Sequence, residues 1–432
     1  MTKWIVSSRS LLLLLGLASM TLAFQGKSPQ LPAPYHTPSA SNAPKVIPRP
    51  DGAELSLPKG FAAEVYSEGF EKPRFMALGA GGEVLLSDSA EKGTVYVLRD
   101  RDKDGKAESK EKLIDGLYSP YGLAFWKDYL YIAERTSLKR YKYNSDAGKV
   151  EVPGEEVVSM KDFTKAHWTR TVLFDRKGEK MYLAIGSGSN VDAGDDPKRA
   201  AINRYNPDGS GHEIVASGLR NPVALRWYPG TDTLWATVQE RDGLGDDLVP
   251  DFFTAVRPGA FYGWPYAYIG PNEEPRRKGE NPEFVKKTVV PDVLLGAHKS
   301  VLDALFYTGK QFPKEYQGGA FIAYRGSSNR AKRTGYSVVF MPFKKAKPVG
   351  EPRDFLTGFM LGADHREVWG RPVGLLQMPD GSLLVSEDGG NKVWRISYKG
   401  VGGMTNDEAR MTKEARNPND ENGLRAPTCF RH

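Results

Sequence analysis

Residues Phe75-Met76-Ala77-Leu78, the turn Gly81-Gly82 and residues Val84-Leu85-Leu86-Ser87 form two short apolar strands joined by a tight turn. Apolar runs bounded by glycine turns are typical of a buried β-hairpin. A self-comparison of the chain finds the same unit six times. The other copies begin at Gly122-Leu123-Ala124-Phe125, Thr171-Val172-Leu173-Phe174, Pro222-Val223-Ala224-Leu225, Leu302-Asp303-Ala304-Leu305 and Pro372-Val373-Gly374-Leu375.

The spacing of these copies predicts an all-β, six-bladed β-propeller over residues 54–400. Between Leu78, Phe125, Phe174, Leu225, Leu305 and Leu375 the steps are 47, 49, 51, 80 and 70 residues. The first three match a four-stranded blade, and the last two contain insertions. A β-sandwich is the alternative, but it does not require one signature at a nearly constant period. We expect Phe61 to Tyr66 to close the ring as a strand of the last blade.

The ends of the chain predict export. Lys3 and Arg9 precede an apolar run from Leu11 to Phe24, which indicates a signal peptide over residues 1–24 and a periplasmic or secreted protein. A retained membrane anchor is the alternative, although the run is short for a span. Residues 25–53 form a Pro- and Ser-rich linker, and residues 401–432 a polar tail without an assigned role.

The composition suits a large domain without disulfides. The chain has 432 residues, 40% of them hydrophobic, and its single cysteine, Cys429, excludes an internal disulfide. The net charge is +7, but Lys and Arg are interspersed with Asp and Glu. Without a basic tract we expect no nucleic-acid partner, and no stable membrane insertion.

The residues just before each repeat line one mouth of the central channel, since the first strand of a blade is innermost and ligands bind at such mouths. Each arginine there can pair with a carboxylate of the neighbouring blade. Four at equivalent positions instead favour an anionic ligand at the axis, such as a planar polycarboxylate. The mouth residues are Arg74, Tyr121, His167 with Arg170, Arg220 with Asn221, and Arg371.

Several motifs, in this order, resemble a known family. The sequence is similar to sorbosone dehydrogenase-like and soluble glucose dehydrogenase-like quinoproteins, which use pyrroloquinoline quinone (PQQ), over about Leu55 to Tyr398. The motifs are His167-Trp168-Thr169-Arg170, Ser217-Gly218-Leu219-Arg220-Asn221-Pro222, Glu240-Arg241-Asp242-Gly243-Leu244-Gly245-Asp246-Asp247, Phe261-Tyr262-Gly263-Trp264-Pro265, Gly326-Ser327-Ser328-Asn329-Arg330 with Gly335-Tyr336, and Gly370-Arg371-Pro372-Val373-Gly374.

The resemblance implies a PQQ-dependent sugar dehydrogenase. His167 would be the general base that takes the proton of the anomeric hydroxyl, although a structural histidine capping a strand is the alternative. Arg220 and Asn221 would hydrogen-bond the quinone oxygen, where Arg220 would stabilise developing charge; turn chemistry is their alternative. Lys332, Arg333 and Arg371 fall where the family contacts the cofactor carboxylates, while a solvated basic loop equally explains the first two.

The resemblance also implies calcium. By alignment, the backbone carbonyls of Asp242 and Gly243 would bind the calcium ion of the cofactor. A second candidate comes from spacing alone, because one acidic stretch fits a twelve-residue calcium loop, although strands flank it and an acidic hairpin tip is the alternative. Its ligands would be Asp100, Asp102, Asp104 and Glu111, with Gly105 at the turn.

Three departures from the family limit what can be said of the substrate. Where soluble glucose dehydrogenases have a glutamine followed by two glycines, this sequence reads Gly116-Leu117-Tyr118-Ser119-Pro120. Where sorbosone dehydrogenase relatives have a histidine and a nearby tryptophan, it has Arg325 and Ser328. Asp303 stands at the expected wall of the substrate pocket. We expect oxidation of an aldose or sorbosone-like aldehyde to a lactone or acid, with electrons passing to a quinone or cytochrome. A non-catalytic carbohydrate- or protein-binding propeller is the alternative, and a calcium-dependent lactonase ranks last because it needs acidic ligands at the axis.

Overall fold

A computed structural model of the chain describes residues 29–145 and 147–400. The predicted signal peptide, the polar tail and Cys429 lie outside these residues. Within them, no helix combines the length and apolar character needed to cross a membrane.

Six antiparallel sheets, formed in chain order, are the six predicted blades. After β1 (Lys45–Val46) and β2 (Phe61–Glu68), blade 1 contains β3 (Pro73–Leu78), β4 (Val84–Asp88), β5 (Gly93–Arg99) and β6 (Ser109–Leu117). Blade 2 contains β7 (Leu123–Trp126), β8 (Tyr129–Ala133) and β9 (Ser137–Asn144), with β10 (Lys149–Val150) and β11 (Glu155–Ser159) both paired to β9. Blade 3 contains β12 (Arg170–Phe174), β13 (Met181–Ile185), β14 (Ala201–Tyr205) and β15 (Glu213–Ser217).

Blades 4 and 5 contain the insertions that the two longer steps predicted, and blade 6 follows them. Blade 4 contains β16 (Asn221–Trp227), β17 (Leu234–Gln239), β18 (Pro250–Ala255), then β19 (Ala267–Tyr268), β20 (Asn272–Glu273), a 3-10 turn (Pro275–Arg277) and α1 (Pro282–Lys287), and finally β21 (Val293–Ala297). Blade 5 contains β22 (Val301–Phe306), a 3-10 turn (Lys314–Tyr316), β23 (Ala320–Tyr324), β24 (Ser337–Met341), β25 (Phe343–Lys344), β26 (Lys347–Pro348) and β27 (Arg353–Leu356). After β28 (Glu367–Val368), blade 6 contains β29 (Pro372–Gln377), β30 (Leu383–Glu387) and β31 (Lys392–Tyr398).

The ring closes as predicted. Strand β2 is the outer strand of blade 6 and pairs antiparallel with β31, with Phe61 opposite Tyr398. The ring of Phe61 also packs edge-on against Phe312 and Phe355 of blade 5, with centroids 4.8 and 5.0 Å apart. Strand β2 thus completes the blade formed by the C-terminal strands and contacts blade 5, which closes the ring.

The middle of the channel is filled with side chains. One buried apolar cluster combines residues of five blades, and Trp168 of blade 3 packs against it half-buried. The mouth above it therefore has a floor on which a ligand can lie, while the channel does not run open through the molecule. The cluster residues contributed by the inner strands and the segments before them are Phe75, Tyr121, Leu123, Val223, Leu302 and Val373.

Asp303 is part of the wall of the channel and is fully buried. Its two carboxylate oxygens each lie 2.8 Å from Nη2 of Arg226, and Oδ2 accepts the backbone N–H of Leu375 at 2.9 Å. It therefore links blades 4, 5 and 6. The departure from the family at this position has a structural explanation and does not expose a carboxylate to substrate.

The stretch predicted as a linker differs from that expectation over Tyr35 to Ile47. The backbone N–H of Tyr35 donates to the carbonyl of Leu244, and that of Asn42 donates to the carbonyl of Ser328. Further along, β1 pairs in parallel with β28. Proline and serine suppress the apolar pattern that identifies a strand, but the backbone still pairs with three successive loops of the propeller. This segment is a strap along blades 4, 5 and 6.

Candidate functional site

A compact group of positive side chains occupies the mouth on blades 1, 5 and 6. Arg74 forms an ion pair with Asp388, and Nε of Arg325 lies 2.9 Å from the same carboxylate. Arg371 donates from Nε to the carbonyl of Arg325 and from Nη2 to that of Gly326, both at 3.2 Å. Asp388 is 1% exposed and Arg325 23% exposed, so the group extends from the interior to the mouth.

Trp168 joins this group to the neighbouring blades. The ammonium of Lys72 lies 5.2 Å, and the guanidinium carbon of Arg74 5.3 Å, from the centre of its ring. Both distances allow cation–π attraction. Trp168 directly follows His167 in the chain, so this residue connects the positive side chains of blades 1, 5 and 6 to the segment that carries the predicted base. We call Lys72, Arg74, Arg325, Arg371 and Asp388 the cation cluster.

The cation cluster holds more positive charge than its own carboxylate can neutralise. Burial lowers the pKa of Arg74 and of Arg371 to about 10, since a buried cation loses its water. Burial acts on Asp388 too, but Arg74 and Arg325 outweigh it and hold the pKa of that carboxyl at about 2. Nε of Arg74 is buried and has no hydrogen-bond partner among the described residues. Four cations therefore face one ionised carboxylate, and an anion would relieve the excess.

Glu387, beside Asp388, carries only part of a negative charge at neutral pH. Burial raises the pKa of its carboxyl to about 7. Its Oε2 accepts the backbone N–H groups of Arg371, Gly389 and Gly390, at 2.7 to 3.1 Å. The carboxyl therefore shapes the turn that presents Arg371 and is only partly ionised at neutral pH.

On blade 3, His167 is oriented with one nitrogen free. Nδ1 lies 3.0 Å from both the carbonyl and Oγ of Ser187. That hydroxyl donates to the carbonyl of Ser189 at 2.6 Å, so it accepts from Nδ1, which must carry the proton. Nε2 then holds the lone pair. Burial and, second, the charge of Arg220 lower the pKa of His167 to about 3, so the imidazole is neutral at ordinary pH.

Arg220 is held rigidly and contributes a fixed charge. Nη1 donates to the carbonyl of Glu240 at 2.6 Å and Nη2 to Oδ1 of Asn190 at 2.9 Å. Nη2 also lies 3.5 Å from a carboxylate oxygen of Asp242. A guanidinium with these partners cannot reorient, which suits electrostatic stabilisation at one position.

Asn221 presents an unpaired acceptor beside the base. Its amide nitrogen donates to Gln239 at 2.9 Å, but Oδ1 is buried without a partner among the described residues. The backbone of Gly186 lies between it and the histidine, because a Cβ there would come 2.3 Å from Oδ1 of Asn221 and 2.5 Å from Cβ of His167. Only glycine lets these two side chains share one wall of the mouth. We call His167, Ser187, Arg220 and Asn221 the base half.

Two mouth residues have structural roles. Arg170 is fully buried and donates to the carbonyls of Phe163, His167 and Thr169, which fixes the segment before β12. Tyr121 is 1% exposed and packs against Phe75 and Trp168 in the floor. The terminal nitrogens of Arg170 bind the chain and Tyr121 packs into the floor, so the predicted ring narrows to Arg74, Arg220, Arg371 and the residues beside them.

The structure does not bring Lys332 and Arg333 to the mouth as free cations. Lys332 is 74% exposed and lies 3.6 Å from Asp364. Arg333 uses all five N–H donors on the chain itself, including the carbonyl and side chain of Asn42 at 3.1 and 2.9 Å. Arg333 anchors the strap, and no donor remains for a cofactor carboxylate. Side-chain direction in this loop was not readable from the sequence.

The turn after β17 does not fit the calcium role predicted for the carbonyl of Asp242. The carbonyl of Asp242 accepts Nδ2 of Asn190 at 2.9 Å and Nη1 of Arg276 at 2.8 Å. A carbonyl oxygen has two lone pairs, so both are used, one of them by a cation. A calcium ion would have to displace Arg276. The carbonyl of Gly243 has no hydrogen-bond partner among the described residues.

The acidic loop after β5 gathers a different set of carboxylates from the predicted one. One oxygen from each of Asp100, Asp102, Asp104 and Glu108 lies within 4.8 Å of the others. Glu111 is absent from this group, because it continues β6 opposite Val97 and its side chain faces Arg101 at 3.8 Å. The next strand, β6, begins at Ser109, so the loop is shorter than a helix-flanked calcium loop. Glu108 is therefore the last carboxylate of the loop and takes the place predicted for Glu111.

Sequence reasoning did not identify Lys72, Ser187 and Asp388 as part of the site. Asp388 and Ser187 both follow the second strand of their blade, which ends at the same mouth as the residue before the first strand. Reading those positions as well would have found them. Arg325 was noticed as a departure from the family, and the structure places it in the cation cluster.

The comparisons agree with this architecture. A sequence model of the TrAA12-like family matches residues 55–249 and 273–399. An uncharacterised protein of Borreliella burgdorferi is 29% identical over 366 residues, covering 80% of this chain and 92% of that protein. A pyrroloquinoline quinone-dependent pyranose dehydrogenase of Coprinopsis cinerea is 22% identical over 408 residues, and the match covers 79% of this chain but only 54% of that enzyme.

Solved structures share the fold. The Trichoderma reesei enzyme of Carbohydrate-Active Enzymes Family AA12, in an iodide structure, has a TM-score of 0.67 at 21% identity, covering 86% of this chain and 100% of that one. The holo form of the PQQ domain of pyranose dehydrogenase from Coprinopsis cinerea has a TM-score of 0.65 at 21% identity, covering 81% of this chain and 98% of that domain.

Proposed function

We propose that this chain, which belongs to the TrAA12-like family of six-bladed propellers related to PQQ-dependent sugar dehydrogenases, is itself a PQQ-dependent dehydrogenase of an aldose or a related sugar aldehyde. The product would be a lactone or an acid, and the electrons would pass to a quinone or cytochrome. We further propose that it works outside the cytoplasm, after removal of the N-terminal apolar segment.

The observation that carries this proposal is the unbalanced charge of the cation cluster. Lys72, Arg74, Arg325 and Arg371 against the carboxylate of Asp388 and the partly ionised Glu387 leave an excess of two to three positive charges. PQQ carries three carboxylates, so its charge is opposite in sign and similar in size. Nε of Arg74 and Oδ1 of Asn221, which have no partner within residues 29–145 and 147–400, are further groups that a bound ligand would satisfy. The residues therefore fit PQQ, and the cation cluster would hold its carboxylates.

The base half would perform the proton transfer. PQQ, when bound, supplies the acceptor for the hydride of the sugar. Nε2 of His167 would take the proton of the hydroxyl on the same carbon, since Nδ1 is held protonated by Ser187. Arg220 would place a fixed positive charge where negative charge develops, and its contacts with Asn190 and Glu240 mean that it need not move. Floor residues such as Trp168 would exclude water from below.

The proposed activity can be tested by loading the purified protein with PQQ and following dye reduction with a panel of aldoses and sugar aldehydes. We expect saturable PQQ binding and turnover with at least one neutral sugar. Saturable PQQ binding without turnover of any sugar would contradict the proposed substrate class. No binding would favour the non-catalytic propeller that binds carbohydrate or protein.

We also propose that calcium binds the acidic loop after β5, far from the mouth. The backbone N–H groups of Lys106 and Gly105 already orient the carboxylates of Asp104 and Asp100, and oxygen-rich loops of this kind suit calcium. Glu108→Gln should weaken calcium binding about tenfold, because one charged ligand is lost. Glu111→Gln is the matched control and should leave calorimetric titrations unchanged; equal effects of both would contradict the assignment of Glu108.

A further inference from the structure

The turn Asp242 to Gly245 beside the base half is held by two side chains that the predicted calcium site did not include. Arg276, from the 3-10 turn of the blade 4 insertion, donates Nη1 to the carbonyl of Asp242 at 2.8 Å. His298, just before β22, lies with Nδ1 2.9 Å from Oδ1 of Asp242 and with Nε2 2.9 Å from the carbonyl of Gly245. Both ends of the turn are therefore bound by nitrogen donors of the chain.

Further contacts hold the guanidinium of Arg276 in this position. Its Nε and Nη2 lie 2.6 and 3.1 Å from the two carboxylate oxygens of Glu274, whose side chain is fully buried. Gly243, which has a φ of +94°, makes room for it, because a Cβ at this position would lie 2.9 Å from Nη1 of Arg276. The backbone and the buried carboxylate together direct the guanidinium to the Asp242 carbonyl.

His298 completes the arrangement on the other side. Nε2 faces a carbonyl, so it donates, and Nδ1 faces a carboxylate that accepts. Its side chain is 3% exposed. The same carboxylate of Asp242 lies 3.5 Å from Arg220, so the shape of this turn is coupled directly to the fixed cation of the base half.

We propose that Arg276 and His298 do for this turn what a calcium ion is expected to do, so that PQQ binding by this chain requires no divalent cation. The inference rests on the proposed function, since it concerns uptake of the same cofactor. Calcium would need oxygen ligands at about 2.3–2.6 Å, and at Asp242 this means removing a guanidinium that Glu274 anchors. A positive charge already stands where the ion would stand.

The test is a fluorescence titration of PQQ into the full chain, once with EGTA and once with millimolar calcium chloride. We expect the two dissociation constants to agree within about twofold. Arg276→Leu should weaken binding about tenfold in EGTA, which is the loss of one charge-assisted hydrogen bond. Glu274 keeps Arg241 at 3.5 Å in this variant, so no buried charge is left without a partner.

Arg277→Leu is the matched control. This neighbouring residue binds the carbonyl of Val191 and the carboxylate of Asp192, and its removal should leave the dissociation constant unchanged. Calcium that binds the acidic loop of blade 1 can raise the melting temperature without changing PQQ affinity, so both are recorded.

Wild-type binding that is tenfold or more tighter with calcium than with EGTA would overturn this inference alone, whatever the variants do. Binding in neither buffer would overturn the proposed function and this inference with it. Equal affinities of wild type and Arg276→Leu in EGTA, for a variant with an unchanged circular dichroism spectrum, would show that Arg276 has no part in it.

Discussion

The two halves of the mouth hold their cations in opposite ways. In the base half, Arg220 has acceptors for its terminal nitrogens from three residues, so its charge is balanced and immobile. In the cation cluster, Arg74 and Arg325 pair with Asp388 beside two further cations, and Nε of Arg74 is buried without a partner in the part of the chain that the structure describes. Under the proposed function, the balanced base half would position the reacting groups, and the unbalanced cation cluster would bind a partner of opposite charge.

The largest expected effect is on the base half. His167→Ala should lower kcat by about 10²–10⁴-fold, the range for loss of a general base, while the dissociation constant for PQQ changes little. Ser187→Ala is the matched variant, because the Ser187 carbonyl still orients Nδ1, and it should lower kcat less than about tenfold. Stopped-flow dye reduction and PQQ titration measure the two quantities. A His167→Ala enzyme with normal kcat would place the base elsewhere.

The cation cluster should show the reverse pattern. Arg371→Leu should raise the dissociation constant for PQQ about 10–100-fold, since a buried charge-assisted contact is lost, with kcat of the loaded enzyme reduced far less. Lys332→Leu removes an exposed cation of a nearby loop and serves as control, with no expected change. Equal weakening by both variants would mean that net charge, and not the geometry of the cluster, sets the affinity.

A pH profile sharpens the contrast. The lowered pKa of His167, about 3, keeps Nε2 unprotonated above that pH, so activity is lost only when acid protonates it. We expect kcat/KM to stay level from about pH 7 down to about pH 5. An acid limb near the ordinary histidine pKa, about 6.5, would show that the base half is not as buried and cation-flanked as described.

The sequence was informative where local pattern determines structure. Apolar repeats identified all six blades and the closing strand from Phe61, and the positions just before each repeat pointed to Arg74, His167, Asn221 and Arg371. Contacts between residues that are remote in sequence could not be predicted. Asp388, for example, lies 314 residues after its partner Arg74, and no local pattern connects the two.

Three other features were unreadable for different reasons. Arg333 faces the strap and not the mouth because Asn42, 291 residues away, supplies its acceptors. The strap itself lacks an apolar period, since it pairs through its backbone. Glu108 replaces Glu111 because a hairpin returns sooner than a helix-flanked loop, which spacing alone does not reveal.

The central claim is that the excess charge of the cation cluster binds the three carboxylates of PQQ. The most direct measurement compares, by equilibrium titration at one ionic strength, the affinities for PQQ and for its trimethyl ester, which has the same rings without the charges. We predict that the ester binds at least about 100-fold more weakly, since several charge-assisted contacts are lost. Equal affinities would contradict the account, because recognition would then rest on shape and not on the cation cluster.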